Sequence, residues 1–404
     1  MSQFDRYFAV ATSKDPTDYK VGEEIVLQYT FTNKGTPIPC PYIHWRYETD
    51  DGQQDSGYFE NDHAGTLTLK LSMSVPGYVH AKIVACDRDK NELEQAEVAE
   101  TGVLVEPEKI RTLTEMPADF DAFWDKQVAA LEACTPVLLS KTPIDTPKDR
   151  PGADQFHFYD VVIDCIGGKP VCGTLTVPKD AAPGSCDAVA YYLGAGVYPA
   201  GGEFMPNTLC LQINAHGIPN TMPKAYYEDL DHGKLKNYGG NDEENKSPET
   251  CYFLPMALRA AQATRFLRTL PEWNGKLCQA QGGSQGGYQA VCAATLDKGI
   301  NLCTTRYPWI TDVACIHHQR LAGAFPFDKV QPGITYLDAA LLATRITCKT
   351  QVYSGLGDTV CMPSGTVALY NNLIHAKEKE CAFMQNMIHG CECAPNNPIY
   401  QIKY

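Results

Sequence analysis

Ser284 sits among glycines in Gly282-Gly283-Ser284-Gln285-Gly286. That is the G-x-S-x-G spacing of a nucleophile elbow, where a strand turns sharply into a helix and the turning residue presents its hydroxyl from a strained backbone. Glycines two before and two after allow a close backbone approach that a Cβ would block. The spacing alone is a weak signal, because Gly and Ser are common. Its flanks sharpen it. Residues 277–281 (Leu-Cys-Gln-Ala-Gln) predict a short strand after the Asn274-Gly275 turn, and residues 288–296 predict a helix rich in small side chains. The competing reading is an ordinary Gly-rich turn between strand and helix.

A serine hydroxyl is inert at neutral pH without a base. An imidazole, with a reference pKa of about 6.5, can take its proton and return it. A carboxylate must then hold that imidazole in the right tautomer. In α/β-hydrolases the order along the chain is Ser, acid, His. The predicted strand at 347–355 leads to Asp358 in Gly355-Leu-Gly-Asp-Thr-Val-Cys-Met-Pro363, which makes Asp358 the favoured acid. Asp also favours plain turns, and Asp312 and Asp338 are rivals; Asp312 lies where the strand after the elbow ends. The histidines after Ser284 are His317, His318, His375 and His389. His375 reads as part of a helix over 367–376, and His317-His318 lie between strands. His389 follows the strand-like stretch 381–386 and is the last histidine, at a strand-end loop where the base belongs. An oxyanion hole takes one backbone N–H from the residue after the nucleophile, here Gln285, and one from a loop after an earlier strand. Gly194-Ala195-Gly196 offers the second through Ala195, with His216-Gly217 as runner-up.

Composition narrows the partners. The chain has 404 residues, 44% hydrophobic and 20% charged, with a formal net charge of −14. Length favours two domains. The acidic balance argues against nucleic acid and anionic membranes, since nothing would neutralise phosphates. The start, Met-Ser-Gln-Phe-Asp-Arg-Tyr, has no basic segment followed by an apolar run, and no stretch of about 18 apolar residues occurs. A cytoplasmic location with reduced thiols follows as the expectation for the 17 scattered cysteines. Cys391-Glu-Cys393 beside His389 lacks the second ligand cluster a metal site needs, so neither metal nor other cofactor is expected.

These side chains need a scaffold. Residues 6–105 show short alternating strands: Ile25, Leu27, Tyr29 and Phe31 share one face, as do Leu67, Leu69 and Leu71, and Val79, Ala81, Ile83 and Ala85. About seven strands with hairpin signals such as Asp50-Asp-Gly52 predict a small all-β immunoglobulin-like sandwich over 1–107. His44, His63 and His80 lie there without nucleophile or acid partners and read as surface or packing residues. Beyond it, Phe120, Phe123, Trp124, Val128 and Leu131 have helical spacing. Residues 142–154 read as loop, and 156–164 with 169–177 as a strand pair around Gly167-Gly168. Strands at 186–193 and 209–214, a long polar excursion over 219–250 and an amphipathic helix at 254–270 lead to the elbow. Strands alternating with helices predict a mostly parallel, doubly wound α/β sheet over 108–404. A long excursion in a compact domain is often a lid or an oligomer contact.

Together these segments resemble the acetyl xylan esterase / cephalosporin C deacetylase group, family seven of the carbohydrate esterases. Met116-Pro-Ala-Asp-Phe-Asp-Ala-Phe-Trp124 is similar to its Pro-x-Asp-Phe-Asp-x-Phe-Trp segment. Gly282-Gly-Ser-Gln-Gly-Gly287 resembles its Gly-x-Ser-Gln-Gly-Gly, and Gly355 to Ser364 its acid-bearing Gly-Leu-x-Asp-x-x-Cys-Pro-Pro-Ser. The resemblance runs from about 115 to the C-terminus. It implies an α/β-hydrolase with Ser284 as nucleophile, Asp358 as acid and His389 as base. It also implies acetyl removal from xylo-oligosaccharides and other small acetylated molecules without a metal, and homo-oligomeric assembly. Where the family has His-Gly-Tyr, this chain has Leu193-Gly194-Ala195, with Tyr198 as a stand-in for the missing aromatic. Two other readings compete: another small-ester hydrolase or a peptidase on the same triad, and a carbohydrate-binding or scaffold protein that works through its sandwich.

Overall fold

The computed structural model of the protein describes residues 5–93, 98–166, 169–402 and 404. Its N-terminal strands are β1 (Arg6–Thr12), β2 (Ile25–Asn33), β3 (Thr36–Pro37), β4 (Cys40–Thr49), β5 (Gln54–Asn61), β6 (Thr66–Leu71), β7 (Gly77–Cys86) and β8 (Val98–Val105). They form two antiparallel four-stranded sheets. One runs β1-β2-β3 with β6 also paired to β2, and the second runs β5-β4-β7-β8. Alternation decides which side chains turn inward: Leu67, Leu69 and Leu71 of β6 are buried while the residues between them are exposed. Phe8, Leu27, Tyr29 and Leu69 of the first sheet share one core with Ile43, Val79, Ala81 and Val103 of the second. Each Phe, Leu, Ile or Val among them contributes on the order of 1.5–3 kcal/mol by leaving water.

The helix α1 (Phe120–Ala133) follows, with Phe120, Phe123, Trp124 and Leu131 on its buried face. Next come β9 (Leu138–Ile144), β10 (Phe156–Ile163), β11 (Val171–Pro178), β12 (Cys186–Tyr192), β13 (Thr208–Ile213), α2 (Lys224–His232), α3 (Phe253–Leu267), β14 (Trp273–Gly283), α4 (Gln285–Leu296) and β15 (Leu302–Arg306). The chain ends with the short helices α5 (Pro332–Thr335) and α6 (Ala339–Leu342), then β16 (Lys349–Gly355), α7 (Pro363–Asn371), β17 (Lys379–Met384) and β18 (Ile399–Ile402). One ten-stranded sheet gathers β9 to β18 in the order β18-β17-β16-β15-β14-β12-β13-β11-β10-β9. From β13 to β17 its pairs are parallel, and both margins are antiparallel. Strand β14, which leads into Ser284, lies inside the parallel part. This is the mostly parallel α/β sheet expected from the pattern. No helix of the described residues is long and apolar enough to cross a membrane.

Four local expectations change. Residues 142–144 belong to β9, an edge strand whose side chains are almost all exposed, so no apolar alternation announces it. The excursion over 219–250 contains α2, whose one buried residue, Tyr227, gives too little periodicity to see. The helix before His375 stops at Asn371 and leaves His375 exposed in a loop. His80 does have acid partners: it is 1% exposed, with Glu48 at 3.4 Å and Glu100 at 3.5 Å. The expected turn at Gly167-Gly168 lies outside the described residues.

Candidate active site

The parallel strands deliver the candidate side chains to one end of the sheet. Ser284 follows β14, Asp358 follows β16, His389 follows β17, and Gly194-Ala195-Gly196 follows β12. All four lie past the C-terminal ends of their strands, where ligands bind in open α/β sheets.

Ser284 caps α4 with φ 58° and ψ −126°, a strained backbone conformation for a residue with a Cβ. Three hydrogen bonds hold it there. Its N–H donates to the Arg306 carbonyl at 3.0 Å, and its own carbonyl accepts from Tyr288 at 3.0 Å and Trp309 at 3.2 Å. The flanking glycines are required by contact. A Cβ on Gly282 would lie 2.5 Å from the Gly286 carbonyl, and one on Gly286 would strike the Tyr192 carbonyl.

The Ser284 hydroxyl is 2.9 Å from His389 Nε2. On the far side of the ring, His389 Nδ1 lies 3.0 and 3.2 Å from the two oxygens of Asp358. A carboxylate can only accept, so Nδ1 carries the proton and Nε2 is left to accept from the serine. Asp358 is fully buried, and its Oδ1 also accepts the N–H groups of Val360 at 2.9 Å and Cys361 at 2.8 Å. The three expected side chains thus form one hydrogen-bonded line, an arrangement able to deprotonate a serine and return the proton.

The rivals are occupied elsewhere. Asp312 accepts from Thr112, Leu113 and Thr114 and pairs with Arg320 at 2.5 Å. Asp338 accepts the N–H groups of Asp312, Val313 and Ala340, and burial followed by the nearby Asp312 charge pushes its carboxyl up to about 6. Both acids tie the segment before α1 to the loop after β15. His317, exposed, accepts from the Val330 N–H at 3.3 Å, and His318 is exposed as well.

An open cleft of about 680 Å³ reaches Ser284 and His389, lined also by Leu193, Gly194, Ala195, Tyr307, Trp309, Ala324 and Val360. Gln285 opens α4, so its N–H is one of the helix-start donors with no acceptor in its own helix. Ala195 lies on the cleft wall. A mesh of side chains holds its loop. Gln289 donates to the Leu193 carbonyl at 3.0 Å, and the Gln285 amide donates to the Gly194 carbonyl at 3.3 Å. The Tyr238 hydroxyl donates to Gln285 Oε1 at 2.6 Å and accepts the Gly196 N–H at 3.1 Å. His216 Nε2 lies 2.9 Å from the Gly196 carbonyl and Nδ1 lies 2.7 Å from the Tyr252 hydroxyl. Burial lowers the pKa of His216, so the neutral ring donates through Nε2 and accepts through Nδ1. His216, the runner-up oxyanion residue, therefore buttresses the loop.

Tyr198 does not take the place of the missing aromatic. Tyr198 turns its hydroxyl to the Gly194 and Ala195 carbonyls at 3.0 and 3.3 Å and does not line the cleft. Tyr307 does, with its ring edge-on to His389 at 4.9 Å. Trp309, beside it, donates its indole N–H to the Ala324 carbonyl at 2.5 Å. Both follow β15, and their place at the end of the strand next to the elbow strand was the available signal.

Comparisons with known proteins converge on one family. The acetyl xylan esterase family model matches residues 103–395. The acetyl esterase Axe7A of Xylanibacter ruminicola is 26% identical over 389 residues, covering 89% of this chain and 82% of that protein. A match that long reaches into the N-terminal sheets. An acetyl xylan esterase from Paenibacillus superposes with a TM-score of 0.55 at 23% identity, covering 70% of this chain and 93% of that one. Acetyl xylan esterase 1 from Thermoanaerobacterium gives 0.55 at 18% identity, with 70% and 92% covered.

Proposed function

The chain belongs to the acetyl xylan esterase family, and from that premise we propose that Ser284, His389 and Asp358 remove acetyl groups from short xylo-oligosaccharides and similar small acetylated sugars. His389 Nε2 takes the Ser284 proton as the oxygen bonds to the ester carbonyl carbon. The N–H groups of Gln285 and Ala195 receive the negative oxygen that results. As the tetrahedral adduct collapses, the sugar oxygen leaves with the proton from His389, and the acetyl group stays on Ser284. Water, deprotonated by the same imidazole, then releases acetate and restores the serine. Asp358 holds the ring tautomer and stabilises the imidazolium without taking the proton.

The observation that carries this reading is the unbroken line from the Ser284 hydroxyl through His389 to the buried Asp358. Tyr307, Trp309, Ala324 and Val360 around the serine favour a small acyl group. The −14 charge suits a neutral sugar better than a polyanion. The same reading divides the chain at 107 and 108 into an immunoglobulin-like sandwich and a hydrolase unit, supported by a core in the N-terminal sheets separate from the main one. It also takes the protein to be a homo-oligomer, which light scattering on the purified chain tests. The test of the chemistry is acetate release from acetylated xylo-oligosaccharides. Ser284→Ala is expected to lower turnover on the order of a million-fold, and a fluorophosphonate probe should label Ser284 alone. Acetate release by Ser284→Ala at the wild-type rate would end the proposal.

A further inference from the structure

The N-terminal sheets touch the rest of the molecule at the loops that carry the site. Tyr78 of β7 is fully buried, and it packs in the core of the large sheet instead of its own. Its hydroxyl donates to the carbonyl of Leu356, two residues before Asp358. A buried phenol is costly without a partner, and burial raises its pKa well above the ordinary value, so it remains a donor. One strand over, Thr101 of β8 donates to the Gln385 carbonyl at 3.1 Å, at the start of the loop that leads to His389. The backbone between them is in van der Waals contact. A Cβ on Gly357, the residue next to Asp358, would collide with the Glu100 carbonyl. A third tie comes from Asp50, whose carboxylate accepts the Leu321 N–H at 2.9 Å, three residues before the cleft residue Ala324.

The acid loop is therefore fixed from two directions. The large sheet holds it through the Leu356 N–H on the Met384 carbonyl at 2.9 Å, and the loop after β17 through the Gly357 N–H on the Met387 carbonyl at 3.0 Å. The N-terminal sheets hold it through Tyr78. Leu356 is held at both its N–H and its C=O, and Asp358 follows in a turn closed by its own N–H on the Gly355 carbonyl at 3.4 Å.

We propose that Tyr78 is a positioning residue for the esterase reaction, holding the Leu356 carbonyl so that Asp358 stays aligned with His389 Nδ1. This rests on the reading of Asp358 and His389 as acid and base. The N-terminal sheets then form part of the active-site scaffold, and separating them from the large sheet releases the acid. A looser Asp358 stabilises the imidazolium less. His389 then loses its proton more easily, and the acid limb of the rate profile moves to lower pH.

The experiment uses the full chain with Tyr78→Phe, which removes one oxygen and keeps the ring. We expect kcat on a simple chromogenic acetate ester to fall about tenfold with KM nearly unchanged, and the acid limb of kcat/KM to shift to lower pH. Tyr29→Phe is the matched control. Its hydroxyl is also buried in the N-terminal sheets, with no hydrogen-bond partner among the described residues, and its removal should leave kcat and the acid limb as they are. If Tyr78→Phe lowers only the melting temperature and keeps wild-type kcat and acid limb, the positioning role is overturned. Should Tyr78→Phe not fold, Tyr78→Met, which fills the same space without a hydroxyl, decides by the same two readouts. Ser284→Ala in parallel separates the two ideas. Lost turnover there beside unchanged Tyr78→Phe kinetics overturns only the role of the N-terminal sheets, whereas wild-type turnover there overturns the site and this role with it.

Discussion

Two kinds of physics hold the two sides of Ser284. On the His389 side the contacts involve charge: a fully buried carboxylate, two backbone N–H groups on its oxygen and an imidazole 3.0 Å away. On the Ala195 side every contact is neutral. Gln285, Gln289, Tyr238 and His216 hold the carbonyls of Leu193, Gly194 and Gly196 and the Gly196 N–H. Charge-assisted hydrogen bonds are roughly twice as strong as neutral ones. One carboxylate can therefore orient the base, while the oxyanion loop needs several side chains from three segments. A single substitution should cost far more on the first side than on the second.

The largest expected effect tests the charged side. Asp358→Asn keeps the shape but offers an amide N–H where His389 Nδ1–H needs an acceptor, and should lower kcat roughly 10⁴-fold with little change in melting temperature. Asp312→Ala is the counterpart. It strands Arg320, 12% exposed, beside a lost buried partner, and should destabilise the fold by about 3–5 kcal/mol while the folded fraction keeps near wild-type kcat. Burial does not separate these two carboxylates; what each one faces does. If the two variants exchanged their phenotypes in thermal unfolding and steady-state assays, the acid assignment would be reversed.

The neutral side should respond more mildly. Tyr238→Phe removes the hydroxyl that links Gln285 Oε1 to the Gly196 N–H. Losing an oxyanion donor outright costs about 3 kcal/mol. Here the donors stay and only their support weakens, so kcat should fall about tenfold, close to 1.4 kcal/mol. The other three anchors keep the loop in place, so KM should move little. A loss as large as that of Asp358→Asn would mean that Tyr238 touches the reacting atoms, and the contrast between the two sides would fail.

This contrast also governs what the sequence alone could reveal. Ser284, Asp358 and His389 are legible because each is a reactive residue type at a strand end and their order is constrained. The parallel strands β12 and β13 are legible because they are nearly continuous apolar runs. The neutral mesh is not legible. Tyr238 lies in a polar excursion, and nothing in its neighbours says that it meets Gln285 across 47 positions. Strand β9 hides because an exposed edge strand needs no apolar pattern. Tyr78 hides for another reason. It stands on the face of β7 opposite Val79, Ala81 and Ile83, where the alternation announces no core, and its hydroxyl partner is 278 positions away. Long-range hydrogen bonds leave no local periodicity.

The smallest expected effect concerns a charged cluster that the N-terminal sheets bury for themselves. Burial alone would lower the pKa of His80, but hydrogen bonding and charge from Glu100 and Glu48 outweigh it and raise the pKa above 6.5. Glu100, also beside Lys82 at 2.9 Å, is held down at about 2 despite its burial, so it stays charged throughout. A raised folded pKa means that the folded state keeps the His80 proton longer than the unfolded chain does. Its stabilising contribution is complete below about pH 6.5 and disappears as pH rises through the folded value. The urea midpoint should therefore fall more between about pH 6 and pH 9 in the wild type than in His80→Gln, which has nothing to titrate. Equal falls in the two proteins would show that the pair of glutamates does not hold the proton. Two residues along the same strand, Tyr78 grips Leu356, with its ring 6.4 Å from that of His80. If His80 also serves to fix Tyr78, the loss of stability at high pH will carry a decline in kcat of the folded protein. If it serves only the N-terminal core, kcat will stay level until the chain unfolds.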